Sequence, residues 1–193
     1  MDLSSTTSSV FAAFGLSGSA GLNAWLPLFL GALLDRLEVV ELAAPFDGLS
    51  STTGLIVLGT AMAADLIGDK VPIVDHVLHL AGTVVAPASG AALFAAQTGD
   101  TTDLPTLAAV LLGGGTAGAL HLGRTALRGA STATTAGIGS PVLSTAEDLG
   151  SGTLVALAFL APVLAFAAVA AIGIATALGV RRLRARLRPR RGS

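Results

Sequence analysis

Six side chains that could do chemistry fall in one short stretch, Ala64 to Leu80: Asp65, Asp69, Lys70, Asp75, His76 and His79. Asp65 and Asp69 are four apart, as are Asp75 and His79, so each pair shares a face wherever the backbone is helical. Carboxylate oxygens beside imidazoles suit a hard or borderline cation. The competing reading makes Asp69, Lys70 and Asp75 ion pairs in an interfacial loop. No tight ligand motif such as HExxH accompanies them, so neither a metal nor another cofactor is expected.

A second acidic group, Glu147 and Asp148, follows Pro141. Ser144 to Glu147 reads S-x-x-E, the capping box that opens a helix. Asn23, His121, Arg124 and Arg128 lie in otherwise apolar runs. Asn23 suits a bond to a neighbouring helix, and His121 suits a packed, bonded position. The chain has no cysteine, which removes thiolate ligands, thiol nucleophiles and disulfides. The stretch GGGTAG at Gly113 to Gly118 lacks the lysine of a phosphate-cradling loop. No Ser-His-Asp arrangement stands out, and nothing assigns an enzymatic activity.

The elements that must position these groups are membrane helices. Of the 193 residues, 52% are hydrophobic and 12% charged, against roughly 25% charged in a soluble domain. Charge-free windows run over residues 3–34, 48–64, 76–99 (histidines neutral), 104–123 and 149–180. A span needs about 20 mainly apolar residues, so the expected fold is all-α: a polytopic transmembrane bundle of about five spans. Gly15, Gly18, Gly21 and Pro27 lie in the first. Two forms follow for it: a kinked helix with a small-residue packing face, or a helix unwound near Ser17 to Gly21. Trp25 reads as an interface anchor or a packing residue. Further breaks or kinks are expected near Gly115 and Pro162, with a polar loop over residues 129–143. Residues 1–9 lack the basic start of a cleavable signal.

Seven of the eleven basic residues lie in the last thirteen positions. The expected organisation is one integral-membrane domain, residues 1–180, and a basic tail, 181–193. Basic residues beside span ends mark the cytoplasmic side. The reading is therefore a multi-pass protein of the inner or plasma membrane with its carboxyl terminus inside. Five spans place the amino terminus and the 69–75 loop outside; a split first segment moves the amino terminus inside. The expected partners are the bilayer, with anionic lipid at the tail, and a small ion or polar solute, but no nucleic acid. An internal repeat is suggested by SGSAG at Ser17 to Gly21 and GGTAG at Gly114 to Gly118. Repeats of this kind place a transport site at their interface.

Four motifs appear in order: GLNAWLPL at Gly21 to Leu28, DKVPIVD at Asp69 to Asp75, TVVAPASGA at Thr83 to Ala91, and STATTAGIGSPVLSTAED at Ser131 to Asp148. Together they resemble a bacterial integral-membrane family of unknown function. The resemblance covers nearly the whole chain except the tail. It carries over Asn23, Asp69, Lys70, Pro72, Asp75, Thr83, Glu147 and Asp148. It departs from the family at Ala86, where an arginine often precedes the proline, at Ser140, often asparagine, and at His79, often another polar or acidic residue. Most of the shared positions are polar and lie in or beside spans, which favours a buried polar site.

The function expected is a transporter or channel for a small ion or polar solute. Its pathway would hold Asn23, Asp65, Asp69, Lys70, Asp75, His79, Arg124, Glu147 and Asp148, and the proline loops before Asp75 and Glu147 would meet at its mouth. The alternatives are a non-catalytic membrane scaffold and a lipid-phosphate translocase using Lys70, Arg124 and Arg128.

Overall fold

The computed structural model describes residues 3–43, 46–68, 72–99, 102–135 and 139–187. These residues form eight helical segments and no strand: α1 (Leu3–Leu22), α2 (Leu26–Arg36), α3 (Phe46–Leu49), α4 (Thr52–Gly68), α5 (Pro72–Thr98), α6 (Thr106–Thr135), α7 (Ser140–Leu160) and α8 (Pro162–Leu187). The all-α expectation holds for them.

Among the described residues three helices are long and apolar enough to cross a membrane, over Leu80–Thr98, Thr106–Gly129 and Pro162–Ala185. That fits a membrane-embedded protein, with fewer full-length spans than the five expected. At 1.5 Å per residue the apolar helix α4 reaches about 25 Å, short of a hydrocarbon core of about 30 Å. The first and last expected spans are each divided, and α8 is the second part of the last.

The first expected span is two helices. The break is not at Ser17 to Gly21 but at Asn23 to Trp25, just before Pro27. Gly18 and Gly115 both lie inside continuous helix. The last expected span divides at Ala161, whose backbone (φ −152°, ψ 70°) is not helical, and α8 begins at Pro162. Pro87 lies inside α5 without dividing it. The expected loop over 129–143 is mostly helix, because α6 continues to Thr135 and α7 starts at Ser140. Ser144 is therefore a buried residue within α7 and not an N-cap.

α1 occupies the centre, packed against α5, α6, α7 and α8. Its small residues make that position sterically feasible. A Cβ added at Gly18 would lie 2.3 Å from Val169 Cγ2 of α8, and one at Gly21 would lie 2.8 Å from the Ala117 carbonyl oxygen of α6. These glycines are packing surfaces, as the small-residue reading expects. Two buried hydroxyls join α1 to its neighbours. Ser17 Oγ donates to the Gly90 carbonyl of α5 at 2.9 Å. Ser19 Oγ lies 2.8 Å from Ser151 Oγ of α7. Toward its amino end, Phe11 stacks on Phe166, and Phe14 meets both Phe94 and Phe166 edge-on. Trp25 is partly buried and packs against the main apolar cluster.

In the last turn of α2, Asp35 organises the connection that follows: it accepts from Leu42 N at 2.9 Å and from Ser50 Oγ at 2.6 Å. This anchors the start of α4, whose far end carries Asp65.

Candidate functional site

The break between α1 and α2 leaves the first N–H groups of α2 without helical acceptors. Asn23 supplies one. Its Oδ1 accepts from Trp25 N and Leu26 N, each at 3.0 Å. That fixes the amide orientation, because Nδ2 must then face away from α2. Nδ2 donates to Asp65 Oδ2 of α4 at 3.0 Å and to Asp148 Oδ1 of α7 at 2.9 Å. One side chain, 3% exposed, thus closes a helix break and ties two carboxylates from separate helices together.

Two acceptors at hydrogen-bond distance from one NH₂ group stand about 5 Å apart, so Asn23 holds the two acidic side chains next to one another.

Asp148 also lines an open groove of about 620 Å³ between α2, α4 and α7. Leu26, Phe29 and Leu30 form the α2 wall, and Met62 and Leu66 form the α4 wall.

Glu147 is the next residue along α7, turned about 100° from Asp148 by helix geometry. It faces α6. Arg128 Nη2 donates to Glu147 Oε2 at 2.5 Å, and Arg124 Nη1 stands 3.4 Å from the same oxygen. Arg128 is 4% exposed. His121, one turn before Arg124 on α6, is buried. A Cβ at Gly82 of α5 would lie 2.7 Å from its ring, so the ring packs on bare backbone.

The nine residues singled out from sequence therefore divide. Asn23, Asp65 and Asp148 come together. Arg124 and Glu147 form a separate ion cluster with Arg128. Asp69 and Lys70 lie outside the described residues, as do the side chains of Asp75 and His79 near the start of α5, and with them the expected meeting of the two proline loops. Among the described residues no group of three or more His, Asp or Glu is arranged to hold a metal. Sequence reasoning missed the Ser19–Ser151 contact and the groove. Ser151 lies between Gly150 and Gly152 in a mostly apolar run, a pattern that does signal close helix approach. The groove walls carry no such signal.

Comparison with curated proteins and with solved structures finds no match. A family of proteins does match, over residues 10–188, which takes in every helix around Asn23 and all but the first turns of α1. The chain belongs to that family, described as a domain of unknown function (DUF4126).

Proposed function

We propose that this protein is a membrane carrier for a small ion or polar solute, with Asn23, Asp65 and Asp148 as its solute-facing group. The observation that carries the reading is the single amide of Asn23 joined to carboxylates from α4 and α7 at a helix break. Interrupted helices are tolerated at membrane depth where they are buried in protein or line a cavity, and carriers use them at their sites. Polar side chains in such places are expensive and mark solute pathways. In this reading the protein is multi-pass, and α1/α2 and α7/α8 are each discontinuous across the bilayer. The lipid-phosphate alternative would require Arg124 and Arg128 to leave Glu147, which makes it the weaker fit.

The test is flux in reconstituted liposomes, screened over monovalent and organic cations, for the parent, Asp65→Asn and Asp148→Asn. At least a tenfold loss of flux is expected in each variant, with the protein still monodisperse. Arg124→Gln should keep the flux of any variant that folds. Absence of protein-dependent flux across the screen, or full activity in both aspartate variants, refutes the proposal.

A further inference from the structure

The groove beside Asp148 has walls and an end of opposite character. Among the described residues eleven line it, and of these only Thr145, Thr153 and Asp148 have polar side chains. Both threonine hydroxyls are turned back on their own helix: Thr145 Oγ1 donates to the Pro141 carbonyl at 2.8 Å and Thr153 Oγ1 to the Leu149 carbonyl at 2.7 Å. What the groove presents is hydrocarbon, a phenyl ring, a thioether and one carboxylate. Among the described residues no basic one lines it.

From this we infer that the groove takes an apolar cation, an amine or onium group carrying a hydrocarbon body, with its charge against Asp148 and its body along Phe29, Leu30, Met62 and Leu66. The inference rests on the carrier reading and narrows its solute. Charge complementarity selects this occupant. A neutral acyl chain would match the walls but would leave a carboxylate facing hydrocarbon, which is unfavourable. A small hydrated ion would match the carboxylate and gain nothing from the walls. An apolar cation satisfies both. Asp65, on the far side of Asn23, does not line the groove. Phe29 supplies an aromatic ring of the kind that attracts onium groups. Met62 is a flexible, polarisable wall residue suited to bodies of varied shape. The volume, about 620 Å³, falls within the roughly 300–1,000 Å³ of small-molecule sites.

The experiment is equilibrium binding of radiolabelled tetraphenylphosphonium to the full chain in nanodiscs of zwitterionic lipid. Saturable binding is expected, displaced by unlabelled tetraphenylphosphonium and not by the neutral triphenylphosphine oxide. Asp148→Asn should weaken binding at least tenfold. So should Ala156→Phe, which fills the groove from an exposed position and leaves the carboxylate in place. No saturable binding by the parent overturns the inference. So does equal displacement by the phosphine oxide, which would mark a slot for any apolar body, a lipid chain included. That competition uses the unmodified protein, so it decides even if a variant does not fold. Liposome flux of a small ion without tetraphenylphosphonium binding leaves the carrier reading standing and removes this one. Binding without any flux does the reverse.

Discussion

Arg128 and Glu147 form a buried ion pair across α6 and α7, 2.5 Å apart, with their side chains 4% and 11% exposed. Glu147 is thereby engaged in helix packing, where the sequence pattern suggested a helix cap. Removing one partner of a buried pair leaves the other charge stranded, at a cost of about 3 kcal/mol or more. Glu147→Ala should lower stability by about that amount, because it removes the carboxylate that both Arg128 and Arg124 face. Replacing both residues by apolar ones of similar size, Arg128→Met with Glu147→Leu, should recover most of the loss. Thermal unfolding in detergent, followed by helical circular dichroism, measures both. A double variant no better than Glu147→Ala would show that the pair is not the source of the loss.

Two glycines two residues apart on α6 should respond in opposite ways to the same change. A Cβ at Gly113 would lie 2.3 Å from the Gly90 carbonyl oxygen of α5, while one at Gly115 would meet nothing within 4 Å. Gly113→Ala must push two backbones apart, and overpacking of this kind costs roughly 1–3 kcal/mol. Gly115→Ala should be neutral or stabilising by up to about 1 kcal/mol, since alanine is the better helix former. The comparison can be read from melting temperatures alone. Equal destabilisation by both would contradict the close α5–α6 approach.

The helical class was legible because long charge-free windows admit little else. The division of those windows was not. Pro27, Pro87 and Pro162 look alike in sequence, yet breaks fall before the first and third while α5 continues through the second. A proline removes one donor, and whether the helix stops depends on whether neighbours can satisfy what it frees. Asn23 does this for α2. The site was half legible. Asn23, Asp65 and Asp148 stand out as polar residues in apolar surroundings, but their meeting across 125 residues of chain is a property of packing around α1. Glu147 and Asp148 read as one acidic pair, whereas the turn of α7 sends them to different neighbours.

The arginines at the end of α8 should set its orientation. The helix continues to Leu187, carrying Arg181, Arg182 and Arg184 beyond its apolar stretch. Basic residues flanking a span favour the cytoplasmic side. The absence of native cysteine makes a direct assay available. Ala185→Cys should be labelled by an impermeant maleimide only after the cells are opened. Changing Arg181, Arg182 and Arg184 together to glutamate should send a measurable fraction to the opposite side. Labelling of Ala185→Cys in intact cells would refute the assignment.

The bridge at Asn23 can be tested by exchanging its donor and acceptor. Asn23→Asp keeps an oxygen for Trp25 N and Leu26 N, so the start of α2 remains capped. It loses the Nδ2 donor and turns a third carboxylate toward Asp65 and Asp148. Repulsion at such separations is on the order of 3 kcal/mol at an effective dielectric of about 20, so this variant should melt below Asn23→Ala, which loses the cap, about 1 kcal/mol, and both Nδ2 bonds but brings in no third carboxylate. Adding Asp148→Asn to Asn23→Asp removes one of the three charges and returns an amide that can donate to the new carboxylate. The double variant should therefore be more stable than Asn23→Asp alone, although Asp148→Asn by itself replaces one of that side chain's two acceptor oxygens with a donor. Contacting residues commonly show coupling of roughly 0.5–3 kcal/mol in such a cycle, whereas separated ones add. Additive effects of the two changes would mean that Asn23 and Asp148 do not touch, and the carrier proposal would then lose the contact that supports it.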